Sequence, residues 1–75
     1  MTESELEVEL ENLIERYDRA ILSTLSAKAE YLALADAPLS SPAAISRAQV
    51  RWQKLDRQRE SIRRQIDALE DRSVA

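Results

Sequence analysis

Apolar side chains recur along the first half of this chain at alternating steps of four and three. Leu6, Leu10, Leu13, Tyr17, Ala20, Thr24, Ala27, Tyr31 and Leu34 form the series. That spacing is the heptad pattern of a helix that packs along one seam against another helix. Ile14, Ile21, Leu25 and Leu32 lie beside the seam and widen it beyond what one neighbour covers. A second series, Ile45, Ala48, Trp52, Leu55, Arg59, Ile62, Ile66 and Leu69, repeats the rhythm with one charged residue, Arg59, at a core-type position. Thr24, with Lys28 beside it, is the milder interruption of the first series.

The two patterned stretches are separated by Ala-Pro-Leu-Ser-Ser-Pro, residues 37–42. Pro38 disfavours helical geometry at Ala37, so the first helix should end near Asp36. Ser41 followed by Pro42 reads as an N-cap and first helical residue. Upstream, Thr2–Glu5 and Ser4–Glu7 each offer a capping box. The pattern therefore predicts one all-α domain over residues 1–75: a helix from about 3 to 36, a turn at 37–41, a helix from about 42 to 71 and a frayed tail at 72–75.

A link this short folds the helices back as an antiparallel hairpin. With the turn centred near Leu39, Leu10 falls opposite Leu69, Leu13 and Ile14 opposite Ile66 and Ile62, and Tyr31 opposite Ala48. Lys28 falls near Trp52, within reach of a cation–π contact. Arg59 falls near Ala20 and Ile21, with the Thr24 hydroxyl about a turn away. The surplus apolar width of the first helix is expected to pair hairpins into a homodimeric four-helix bundle.

Composition narrows the chemistry. The 75 residues include no cysteine, histidine or glycine. No disulfide can brace so small a chain, which makes association the ordinary remedy for its small core. Thiolate and imidazole ligands are lacking, so zinc, haem and iron–sulfur sites of the usual kinds are not expected. Cys/His and Ser/His/Asp nucleophiles are excluded with them. Without glycine, phosphate-cradling loops and dinucleotide fingerprints cannot form. No cofactor is expected, and no enzyme.

The net charge is −3 and is unevenly spread. Residues 1–37 carry nine acids and three bases, and residues 38–75 carry eight bases and five acids. The antiparallel fold sets the glutamate-rich start beside Arg63 and Arg64. An overall acidic chain argues against nucleic-acid binding by Arg47, Arg51, Lys54, Arg57, Arg59, Arg63 and Arg64. Glu60 and Arg64, four apart, favour a solvated ion pair. Glu3 to Glu15 could imitate a phosphate backbone, though such runs more often serve as solvated, dipole-matched first turns. The acidic N-terminus shows no secretory signal, and no apolar run reaches membrane-spanning length. A cytoplasmic protein is expected, and an arginine-over-lysine bias hints at a bacterial or phage coding genome.

The expected function is a non-catalytic interaction module that inhibits, sequesters or chaperones a partner protein through its helix faces. Leu10, Tyr17, Ile21, Leu25, Lys28, Tyr31, Leu32, Trp52, Leu55, Arg59 and Ile62 are the candidate dimer or partner contacts. Trp52 either packs against the neighbouring helix or anchors a partner. Arg59 either fixes the register or contacts a heterologous protein. In size and hairpin shape the chain resembles phage-encoded inhibitors of host proteins and type III secretion needle co-chaperones. That resemblance of architecture implies partner binding. The alternative is a structural coiled-coil oligomer.

Overall fold

The computed structural model describes residues 2–74. Two helices, α1 (Glu3–Asp36) and α2 (Pro42–Val74), pack antiparallel as a rod of 56 × 14 × 14 Å. The α1 capping box takes the earlier register. Thr2 Oγ1 accepts from the Glu5 amide, and Glu5 Oε2 accepts from the Thr2 amide, both at 3.2 Å. Thr2 itself is extended, which lets its side chain fold back on the first turn.

The turn follows from its prolines. Ala37, ahead of Pro38, is extended at φ −76°, ψ 123°, which stops α1. The Ala37 carbonyl then accepts from the Ser40 amide at 3.3 Å, closing a turn with Pro38 and Leu39 at its tip. Ser41 Oγ accepts from the Ala44 amide at 3.1 Å, and Pro42 supplies the first residue of α2. The turn reverses the chain with no left-handed residue, so a sequence without glycine suffices. At the far end α2 continues to Val74 rather than stopping near 71. No proline or glycine stands there to break it.

Every position of both predicted seams is buried or half-buried. Leu13, Ile66 and Leu69 form the core cluster, with Leu6, Leu10, Tyr17 and Ile62 packed against it. This cluster lies toward the open end of the hairpin. Toward the turn the buried residues are small: Thr24, Ala27 and Ala48. Small residues there leave room for Trp52, whose indole stacks on Tyr31 with ring centroids 5.6 Å apart and planes 20° apart. Such a pair contributes about 0.5–1.5 kcal/mol beyond its buried area.

Candidate protein-interaction surface

The predicted contacts separate into two sets. Leu10, Tyr17, Tyr31, Trp52, Leu55, Arg59 and Ile62 are half-buried along the seam. They hold the hairpin to itself. Leu25 and Leu32 face outward, 57% and 49% exposed, and Lys28 is exposed beside them. Ile21 is half-buried on the boundary between the sets.

Lys28 places Nζ 5.7 Å from the Trp52 ring centroid, the contact expected from the turn. At an exposed lysine this contributes about 0.5–1 kcal/mol. Tyr31, expected opposite Ala48, stacks its ring on Trp52, one turn along α2. A long aromatic side chain finds more contact area there than over an alanine methyl.

Arg59, expected near Ala20 and Ile21, finds its polar partner across the seam in Tyr17, one turn earlier on α1. Its Nη1 donates across the helix pair to the Tyr17 hydroxyl at 3.3 Å. Nε donates to Asp56 Oδ1 at 3.1 Å, and Nη2 lies 3.1 Å from the same oxygen and 3.4 Å from Glu60 Oε2. The side chain is 23% exposed and spans the seam edge with its head among three oxygens. The Tyr17 hydrogen bond, then the Asp56 carboxylate, hold the guanidinium above its ordinary range. Arg59 is therefore hydrogen-bonded inside the hairpin, to Tyr17 across the seam and to Asp56 on its own helix. Glu60 consequently pairs with Arg59, not with Arg64.

Thr24 is 6% exposed, and its hydroxyl has no hydrogen-bond partner among the described residues. A buried hydroxyl without a partner is a weak point in the seam.

The ion pairs also depart from expectation. Arg51 bridges to Glu30 between the helices at 3.4 Å near the turn, and Arg19 pairs with Glu15 along α1. Arg63 and Arg64 form no ion pair with Glu3 to Glu15 among the described residues. These long exposed side chains lose entropy on pairing and gain little in water. The basic residues of α2 are ordered: Arg47, Lys54, Arg57 and Arg64 are exposed at steps of seven, three and seven, with Arg47 at the edge of a groove it lines with Glu30 and Leu34.

What remains is the outer strip of α1. Ile14, Ile21, Leu25 and Leu32, with Asp18 and Lys28 interposed, follow steps of four and three about 100° round the helix from the seam. Ile14 is 42% exposed, and Leu22, beside the strip, is 68% exposed. Ile14 stands beside the seam, as its spacing predicts, whereas Leu22 lies outside the predicted strip and is signalled by its neighbourhood with Ile21 and Leu25. Among the described side chains of α2 the exposed large apolar one is Val50, so the uncovered apolar strip described here belongs to α1.

These features define an all-α helical hairpin with one covered seam and one uncovered apolar strip. Compared with known protein families, curated proteins and solved structures, the chain matches none. No helix among the described residues is long and apolar enough to cross a membrane.

Proposed function

We propose that the chain is a non-catalytic protein-interaction module that recognises another helix through the outer strip of α1. The observation behind this reading is the strip itself: large aliphatic side chains at heptad spacing, left open after the hairpin's own seam is complete. Apolar contact along such a strip supplies affinity, and its flanking charges select orientation and partner. The role is regulatory: the hairpin, acting in the cytoplasm, associates with itself and inhibits, sequesters or chaperones a helical protein.

A photo-cross-linking amino acid in place of Leu25, compared in cells with the same residue in place of Lys54, tests this. Protein adducts at position 25 and none at position 54 are expected. Equal labelling at both positions, or none at 25, would sink the reading.

The basic stripe of α2 supports a second reading, in which Arg47, Lys54, Arg57 and Arg64 contact a polyanion. Binding would then weaken steeply with salt. A low-salt gel shift with no retarded nucleic acid removes it.

A further inference from the structure

Resting on the reading of the α1 strip as a helix-recognition surface, we infer that its occupant is a second copy of this chain, packed antiparallel about a two-fold axis near Ser23. The argument is the order of residues along the strip: Ile14, Asp18, Ile21, Leu25, Lys28, Leu32. Set against its own reverse, this order matches like with like where apolar and unlike with unlike where charged. Ile14 meets Leu32 of the other copy, Ile21 meets Leu25, and Asp18 meets Lys28. The two-fold axis then repeats all three pairs, as an isologous interface requires.

Other alignments fail on the same residues. A parallel, in-register pair sets Asp18 on Asp18 and Lys28 on Lys28. Sliding the antiparallel pair by one heptad sets Lys28 against Leu25, or Asp18 against Ile21. Only the register centred near Ser23 keeps every charge off the apolar contacts. Asp18 has no hydrogen bond or ion pair among the described residues, and the Lys28 ammonium makes none beyond its approach to the indole. Both are exposed and open to a partner.

Area is also sufficient. The hairpin exposes 5768 Å², against about 4,700 Å² for a compact monomer of this length. The excess is comparable to the roughly 800 Å² that each partner buries in a standard interface.

Disulfide trapping in this cysteine-free chain tests the register. Ile14→Cys and Leu32→Cys proteins, each checked for helicity, are mixed and oxidised. The mixed disulfide should dominate, because the antiparallel register puts those two sites opposite and separates identical sites by about 27 Å along the axis. Dominance of either homodisulfide, or no cross-link between folded chains, overturns the inference. As a second arm, Asp18→Lys and Lys28→Asp should each weaken self-association by about ten-fold, and the double variant should restore it. Failure of the double variant to recover overturns the pairing. A wild-type chain that sediments as a monomer at on the order of 100 µM also overturns it. The Leu25 cross-linking experiment then decides separately whether the strip still serves a heterologous helix.

Discussion

The Arg59 guanidinium donates to the Tyr17 hydroxyl across the helix interface at 3.3 Å while Asp56 and Glu60 hold it from its own helix. A charge at a seam position thereby has polar partners on both helices. Arg59→Leu should raise the melting temperature, since apolar contact replaces a paired ion and the two carboxylates can hydrate. Arg59→Ala should lower it by removing the packed stem as well. Thermal melts followed by circular dichroism distinguish the two. The raised guanidinium contributes in full below its ordinary range and loses its effect only as pH rises through the raised value. Titration of Arg59 should therefore leave the stability profile flat around neutrality.

Thr24→Val should stabilise the hairpin. It keeps the shape of the side chain and removes a buried hydroxyl with no partner. A gain of about 1 kcal/mol is expected, which corresponds to a rise of roughly 4–8 °C for a domain of this size. No change on melting would mean the hydroxyl is hydrated.

Trp52→Ala should destabilise the fold toward the lower end of the ~3–5 kcal/mol range for such truncations, because the indole is half-buried. The loss includes its stack on Tyr31 and its contact with Lys28. Urea unfolding measures it. A variant with unchanged stability but lost partner binding would reassign Trp52 to the recognition surface.

Leu25→Ser should leave helicity at low concentration nearly unchanged, because this side chain is mostly outside the seam. Its effect belongs to association: sedimentation should show a weaker complex. Leu13→Ser, by contrast, should unfold the hairpin, since Leu13 lies in the core cluster.

Ser41→Ala should cost about 1 kcal/mol by removing the acceptor for the Ala44 amide at the start of α2. A denaturant midpoint that does not move would show that water replaces the cap without loss.

How far these features could be read from residues alone depended on whether backbone rules or side-chain reach decided them. The seams, caps and turn rest on heptad spacing, prolines and Ser41, and the structure follows them closely. The ring stack of Tyr31 and the hydrogen bonds of Arg59 go to residues that helix register alone does not name. Both are long enough to reach a turn further, so rotamer and chemistry choose their partners. Arg59 found Asp56 and Glu60 within its own helix, where no interhelical register could place them. The outer strip was legible as surplus apolar width, but its separation from the seam needed the burial of each residue. The steps of seven, three and seven that join Arg47, Lys54, Arg57 and Arg64 were masked by Asp56, Glu60 and Asp67 set among them.

The core cluster of Leu13, Ile66 and Leu69 lies at the end of the rod farther from the turn. Joining Leu13 to Ile66 closes a much longer stretch of chain than joining Tyr31 to Trp52, and loop closure costs more entropy as length grows. The hairpin should therefore zip from Pro38 outward, with the aromatic layer forming before the aliphatic one. The tryptophan that reports on folding by fluorescence belongs to the layer that closes early, so its signal will lead the arrival of the open-end leucines.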